Sequence, residues 1–255
     1  MELYVDQFIL FLVMFARISS MLVTAPMFGH QSVPAQMKAG LSVFIAFVLF
    51  VFNAHQTAAI QLKLWGIVVL VLKEILTGAS IGFAVGIIFA GVRYAGEIIG
   101  TDMGFSMAMM YDPESNTSFP VLGEMLYMFL LLIFILMNGH HFILEALQLS
   151  YKVIPIGTWG IGEKTVRSIV ELTGQIFVIG VKISAPLMVS LFLANISLGI
   201  LNKAMPQMNI FGVIFPLKIG VGILVLSATI PLMAFVFKKI LTVFESSIID
   251  FIHLL

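Results

Sequence analysis

The stretch LWGIVVLVLKEILTGASIGFAVGIIFAGVRYAGEII, Leu64–Ile99, is almost entirely apolar. A membrane-spanning helix needs roughly 20 mostly apolar residues, so this stretch is long enough for a tilted or bent transmembrane helix. Strands of a membrane barrel would be about ten residues long and would alternate polar with apolar side chains, a pattern that is missing here. The sequence therefore predicts an all-α membrane fold.

The composition of the whole chain supports the same class. Charged residues make up 10% of the 255 residues and hydrophobic residues 60%, with a mean hydropathy of +1.12. A soluble domain carries about 25% charged residues. The net charge is zero, so the sequence predicts no nucleic-acid partner, and the lack of cysteine excludes disulfides and thiolate metal sites. No basic residue precedes Arg17, so we expect the first apolar stretch to be retained rather than cleaved as a secretion signal.

Proline, glycine and polar residues divide the chain into about six main helices, which we expect to form hairpins. The predicted spans are Phe8–Thr24, Ala39–Phe52, Leu64–Ile99, Val121–Leu147, Gly174–Leu201 and Ile210–Phe237. Before the fifth span, an amphipathic stretch carries Glu163, Arg167 and Glu171 at the spacing of helical ion pairs.

Glycines spaced four residues apart form two rows along the third span and just beyond it. Residues at this spacing share one helix face, and a glycine face lets another backbone approach closely within a membrane. The rows consist of Gly78, Gly82 and Gly86, and of Gly96, Gly100 and Gly104. Packing inside this chain and contact with other chains are both compatible with the pattern.

Seven charged side chains fall inside or against the apolar spans. They are Arg17, Lys73, Glu74, Arg93, Glu97, Lys182 and Lys218. A charge facing lipid at mid-membrane costs roughly 2.5–3.5 kcal/mol, so we expect most of these groups to be paired, hydrated or outside the hydrocarbon. Arg93 and Glu97 are spaced to pair, whereas Lys182 and Lys218 have no acidic neighbour in sequence. The positive charges do not alternate between loops, so they predict no orientation in the membrane.

The segment TDMGFSMAMMYDPESNTSFP, Thr101–Pro120, interrupts the apolar pattern near the middle of the chain. Asp112–Pro113 stops a helix, and Pro120 suits the first turn of the next one, with Ser118 as a cap and Glu124 near its positive end.

A methionine-rich loop that ends in a polar turn suits the deformable closure of a passage, because methionine adapts to changing surfaces. An ordinary solvent-exposed loop is the alternative. The candidate closure residues are Phe105, Met107, Met109, Met110, Tyr111, Asp112 and Pro113.

Two short motifs resemble catalytic or metal sites without their usual context. Ser80 lies in GASIG, but within an apolar helix rather than at a strand-to-helix elbow. His140 and His141 are adjacent, so on a helix their rings point about 100° apart and chelate poorly together. No nucleotide-binding or metalloprotease fingerprint is present. The sequence therefore predicts no enzyme activity and no cofactor.

Four stretches resemble one family, in the same order along the chain. They are ARISSMLVTAPMFGHQSVPAQMKAGL (Ala16–Leu41), AGEIIGTDMGFSMAMMYDP (Ala95–Pro113), NGHHFILEALQLSYKVIPIG (Asn138–Gly157) and LNKAMPQMNIFGVIFPLKIGVG (Leu201–Gly222). The chain is similar to the FliR family of bacterial flagellar biosynthesis and to its counterpart in virulence type III secretion.

The resemblance implies a subunit of the type III export gate in the bacterial inner membrane, at the flagellar basal body. In that family one R chain assembles with P and Q subunits around a pore, much of it lifted out of the bilayer, and unfolded protein substrates pass through. The loop corresponding to residues 104–119 helps to plug the pore. The resemblance also implies B-type switch and A-type export components as partners.

The resemblance further implies one R-subunit domain over residues 1–255, with P-like and Q-like halves whose seam the sequence does not place. The alternatives are the equivalent injectisome subunit and a small-molecule permease subunit. A permease predicts full spans and a clear charge asymmetry. An intramembrane enzyme using Ser80 and His140 would react with a serine-directed probe, and we expect no such reaction.

Overall fold

A computed structural model describes residues 2–30, 32–53, 64–105, 120–160, 162–205 and 210–255. Within these ranges the regular secondary structure is helical and no strand occurs, which confirms the predicted all-α class. The seven long helices described are α1 (Glu2–Thr24), α2 (Ala35–Asn53), α3 (Leu64–Met103), α4 (Val121–Leu136), α5 (Gly139–Val153), α6 (Glu163–Ala204) and α7 (Ile210–Leu254).

Five of these helices are long and apolar enough to cross a membrane, namely α1, α2, α3, α6 and α7. Helices α4 and α5 pass the same test together as one bent span, which gives up to six spans in the described part of the chain. This number agrees with the prediction of about six main helices.

The largest differences between the observed and the predicted helix ends are of two kinds. The predicted span Val121–Leu147 is broken by Met137 and by Asn138, which has a left-handed φ of 60°. Helices α6 and α7 extend beyond their predicted ends to Glu163 and Leu254. The predicted ends followed hydropathy, but charged residues beside an apolar run can continue the same helix, because they form its backbone hydrogen bonds equally well.

The chain folds into two compact units. The first comprises Met1–Ile87, Asn138–Thr173 and Thr242–Leu255, and the second comprises Ile88–Met137 and Gly174–Leu241.

In the first unit, α1 buries one apolar face. Its buried residues Met14, Ile18, Met21 and Leu22 recur at helical spacing and form one apolar face. Phe11 on α1 and Phe50 on α2 meet edge to face with ring centroids 6.1 Å apart.

In the second unit, aromatic contacts join the helices. On α3, Phe89 packs edge to face against Tyr127 and Phe134 of α4, with centroid distances of 5.7 and 5.4 Å. Tyr94 of α3 meets Phe177 of α6 at 5.4 Å. Aromatic contacts therefore join α3 to both α4 and α6.

Candidate functional site

The helices that flank residues 106–119 form a tightly packed antiparallel hairpin. Successive contacts pair residues 96, 93 and 89 of α3 with residues 123, 127 and 134 of α4, in opposite chain directions. A Cβ atom on Gly96 would lie 2.5 Å from the backbone nitrogen of Gly123 and 2.6 Å from the carbonyl oxygen of Leu122. Since these are backbone atoms, the two helices can approach this closely only if residue 96 is glycine.

An ion pair holds the same hairpin near the start of α4. Nη2 of Arg93 lies 2.8 Å from Oε2 of Glu124 and donates a hydrogen bond of 3.1 Å to Oε1. The Arg93 guanidinium also lies over the Tyr127 ring, 4.7 Å from its centroid. Arg93 thus pairs across the hairpin rather than with Glu97, the partner that the sequence spacing offered. Glu97 is exposed and forms no ion pair with a described residue.

Helix α3 ends at Met103 and is followed by a left-handed glycine. Gly104 has a φ of 88°, and its N–H donates to the carbonyl oxygen of Thr101 at 3.1 Å. This is the conformation in which glycine commonly ends a helix. The sequence placed Gly104 on the helical row of Gly96 and Gly100, whereas in the structure Gly104 lies one residue beyond α3.

The end of α3 is fixed against α7. A Cβ on Gly104 would lie 2.9 Å from Cδ1 of Phe215, and one on Gly222 would lie 2.5 Å from Cε of the buried Met103. Close side-chain contacts therefore hold the chain at Met103 and Gly104, just before residues 106–119.

The candidate closure residues fall almost entirely outside the described residues. Phe105 is half-buried and is the last described residue before position 106. Met107, Met109, Met110, Tyr111, Asp112 and Pro113 lie outside the described residues. Pro120 occupies the N-cap position of α4 with no side-chain cap, and Ser118 lies outside the described residues. The predicted closure role stays a prediction.

A buried ion pair lies at the centre of the first unit. Arg17 and Glu74 are both fully buried, with hydrogen bonds of 2.5 Å (Nε to Oε2) and 3.0 Å (Nη2 to Oε1). Arg17 also donates to the carbonyl oxygens of Ser150 (3.2 Å) and Ile154 (3.1 Å), at the C-terminal end of α5. Its guanidinium lies 4.4 Å from the centroid of the Tyr151 ring. A cation at the last carbonyls of a helix is electrostatically favourable, so Arg17 caps α5.

The same carboxylate also anchors the segment after α5. The backbone N–H of Gly157 donates to Oε1 of Glu74 at 3.0 Å, and Lys73 donates to the carbonyl oxygen of Gly157 at 3.1 Å. Gly157 has a φ of 81°, where a side chain would be strained. Two adjacent charges on α3 therefore hold one glycine turn from both sides.

Two of the three glycines in the first row lie against α1. A Cβ on Gly78 would overlap the carbonyl oxygen of Arg17, and one on Gly82 would lie 2.6 Å from the carbonyl oxygen of Met21. Gly86 has room, with the Thr24 carbonyl oxygen at 3.8 Å as its nearest neighbour. These contacts lie within the chain, so Gly78 and Gly82 allow α1 and α3 to pack closely.

Two of the predicted intramembrane charges have no partner among the described residues. Lys182 on α6 is exposed and Lys218 on α7 is half-exposed, and neither forms a hydrogen bond or an ion pair there. By contrast, the exposed pair Arg167–Glu171 is formed, with Nε to Oε1 at 3.0 Å.

The residues weighed for catalysis and metal binding lie in ordinary surroundings. Ser80 is a half-buried residue within α3, without a hydrogen bond to a histidine or carboxylate in the described structure. His140 and His141 lie ring against ring, 4.2 Å apart, at the start of α5. No metal-holding group of three ligands occurs within the ranges described above.

Several packing residues were not recognised from the sequence. Gly91 and Gly180 line the contact between α3 and α6, where a Cβ would meet Ile179 and Tyr94 respectively. Gly123 of α4 and Gly222 of α7 lie against α3, where a Cβ would meet Arg93 and Met103 respectively. None of the four belongs to a glycine row, so spacing carries no signal for them, and only the tertiary contacts identify their role.

Replacing Gly96 with alanine should destabilise the chain by about 1–3 kcal/mol, because the new methyl group would overlap backbone atoms of α4. Gly100→Ala is the matched control on the same face, since its Cβ would meet only Leu122 at 3.9 Å. Alanine is favoured over glycine within a helix, so this control should be neutral or stabilising. Thermal unfolding in detergent compares the two variants. Equal unfolding midpoints would contradict the close approach of α3 and α4.

Comparison with known proteins identifies the family. A family model described as bacterial export proteins, family 1, matches residues 8–243. The chain belongs to this family. The flagellar biosynthetic protein FliR of Bacillus subtilis (strain 168) is 33% identical over 252 residues, which cover 97% of this chain and 95% of its own. FliR of Escherichia coli (strain K12) is 35% identical over 220 residues, covering 86% and 83%. FliR of Pectobacterium carotovorum is 31% identical over 220 residues, with the same coverage.

These relatives confirm the resemblance to the FliR family over nearly the whole chain. Membership in the bacterial export proteins, together with the long apolar helices, makes the chain a membrane-embedded component of flagellar protein export. It works with other components of the export apparatus.

Proposed function

We propose that the chain is a pore-forming, non-enzymatic subunit of the flagellar type III export gate. It assembles with P and Q subunits in the bacterial inner membrane, at the flagellar basal body, and passes unfolded flagellar proteins. Residues 105–119 close the pore when no substrate is present. B-type switch and A-type export components contact the assembled gate.

The length of the exposed apolar surface along α6 is the observation that supports assembly with other subunits. The helix has 42 residues, which corresponds to about 63 Å, whereas the hydrocarbon core of a bilayer is about 30 Å thick. Exposed apolar side chains extend along it from Val166 to Ile200, about 51 Å. Even at a tilt of about 40°, this stripe exceeds the hydrocarbon thickness. The hydrocarbon cannot cover all of it, so its first turns, which include the exposed pair Arg167–Glu171, lie outside the hydrocarbon, and we attribute the cover of their apolar side chains to other protein chains.

The structure gives this proposal further support. Only 17% of the most apolar window of α7 is buried within the chain, compared with 61% for α3. The relatives named above are flagellar proteins, which favours the flagellar gate over the injectisome.

Co-expression tests the proposal. Produced alone, the chain should aggregate or be degraded, because its exposed helices lack their partners. Produced with the P and Q subunits of the same bacterium, it should purify as one large complex. A monodisperse monomer in mild detergent that fails to bind either subunit would overturn the proposed assembly. A separate labelling experiment with a serine-directed probe should leave Ser80 unmodified, as expected of a chain without enzyme activity.

A further inference from the structure

The end of α3 leads directly into the residues that the proposed function places in the pore. Helix α3 ends at Met103, and Gly104 follows with a φ of 88°, which turns the chain away from the helix axis. Residues 106–119 begin two positions later. Contacts that fix Met103 and Gly104 therefore also set the place and the direction in which the closure residues start.

One side of α7 provides two contacts that fix this point. Phe215 and Gly222 are seven residues apart, so they lie on the same side of the helix. The side chain of Met103 fills the space beside Gly222, where a Cβ would lie 2.7 Å from both Cγ and Sδ of the methionine. The ring of Phe215 lies against Gly104, where a Cβ would lie 2.9 Å from Cδ1 and 3.2 Å from Cε1. A glycine in each contact thus lets a large side chain reach the backbone.

The two contacts differ in how firmly they are held. Met103 and Gly222 are both buried, so their contact belongs to the interior of the second unit. Phe215 is half-buried, and it precedes Pro216, which lies inside α7. Because proline has no N–H to donate to the carbonyl of Gly212, four residues earlier, the start of α7 has one backbone hydrogen bond fewer than an ordinary helix. Phe215 can therefore move with the start of α7 while Met103 stays packed.

We infer that Phe215 is the positioning residue of the pore closure. Its ring holds Gly104, and with it the start of residues 105–119, in the closed position, and the start of α7 carries the ring away when a substrate passes. The inference rests on the proposed function, since it takes residues 105–119 as the closure. It adds what controls them: a contact that is present in the closed gate and absent from the open one shifts the population toward the closed gate.

Truncation of the ring tests the positioning role in the complex with P and Q subunits. Phe215→Ala complexes should release a fluorescent solute trapped in vesicles about ten-fold faster than wild type, because loss of the apolar contact favours the open gate. Phe215→Tyr keeps the ring and should stay closed. Phe235→Ala is the matched control, since it makes the same kind of change as Phe215→Ala at a ring of α7 that is 67% exposed.

Release is measured per assembled complex, so a loss of assembly is not mistaken for a loss of closure. Phe215→Leu keeps an apolar side chain without the ring, and its rate of release should lie between those of wild type and alanine. If the alanine chain fails to assemble, the leucine chain decides, since it preserves more of the packing.

A second variant acts on the release step. Pro216→Ala restores the hydrogen bond to the carbonyl of Gly212, so the start of α7 should move less readily. The complex should remain as tight as wild type but should secrete flagellar substrates several-fold more slowly. Pro231→Ala makes the same change at the other internal proline of α7, away from Phe215, and should secrete at the wild-type rate.

Two results would overturn the inference. Assembled Phe215→Ala or Phe215→Leu complexes could be as tight as wild type, or Pro216→Ala complexes could secrete as fast as wild type. Replacement of residues 106–119 by a glycine-serine linker distinguishes this failure from that of the proposed closure. If the linker complex leaks while the Phe215 variants stay tight, the role of Phe215 alone is wrong, whereas a tight linker complex contradicts the closure as well.

Discussion

Glu74→Ala should lower the free energy of unfolding by about 3–5 kcal/mol, because it leaves the Arg17 guanidinium buried without its counter-charge. Native proteins are stabilised by only about 5–15 kcal/mol, so most of the chain should fail to accumulate in membranes. The loss includes a second contribution. Glu74 also accepts the hydrogen bond of the Gly157 N–H, so its removal leaves a backbone donor unsatisfied in the turn after α5.

Two further variants separate charge from hydrogen bonding. Glu74→Gln keeps an oxygen for the Gly157 N–H and removes only the negative charge, so its destabilisation should lie between those of wild type and alanine. Glu171→Ala breaks the exposed pair with Arg167 and should cost no more than about 0.5 kcal/mol. The measurements are the steady-state amount in membranes and thermal unfolding in detergent. If Glu74→Ala behaves like Glu171→Ala, the buried pair does not hold the first unit together.

Arg17 explains why a membrane protein keeps a charge in its interior. The Ser150 carbonyl accepts the N–H of the C-cap residue Ile154, the Ile154 carbonyl lies beyond the last turn of α5, and both residues are buried. A guanidinium offers several donors in fixed directions, so one side chain serves these carbonyls and the Glu74 carboxylate together. The pair thereby connects α1, α3 and α5 at one buried point.

Long apolar runs predicted the helices well, because continuous hydropathy is a strong signal in a membrane protein. The runs beginning at Leu64 and Ile210 correspond to the starts of α3 and α7. Helix ends were predicted less well. The break at Asn138 was missed, since it depends on a left-handed residue between two apolar segments. The continuation of α7 to Leu254 was missed because Lys238 and Lys239 lower the local hydropathy without ending the helix.

It was harder to predict which charged residues pair in the fold than to predict which charged residues need a partner. Arg17 and Glu74 were both recognised as costly charges, but nothing in their sequence separation indicates that they meet. For Arg93, the local spacing favoured Glu97, whereas the hairpin brings Glu124 within 2.8 Å. Local spacing identifies a possible partner on the same helix, and packing between helices decides which partner is used.

The proposed closure of the pore predicts the second large effect. The helices on both sides of residues 106–119 are held by Gly96, Gly123 and the Arg93–Glu124 pair, so the hairpin has its own packing contacts. Removing the side chains of the loop should therefore leave assembly intact. It should remove the seal, because methionine side chains can fill a channel and then change rotamer to let varied substrates pass.

Solute flux through the assembled complex tests the proposed closure of the pore most directly. Residues 106–119 are replaced by a glycine-serine linker of equal length, and the chain is co-expressed with P and Q subunits. Complexes of wild type, of this variant and of the control Gly100→Ala are reconstituted at equal density into vesicles loaded with a small fluorescent solute. We predict an assembled variant complex that releases the solute many-fold faster than the wild-type and control complexes, which both stay closed. An assembled variant as tight as wild type would contradict the account, since residues 106–119 would then be an ordinary connecting loop.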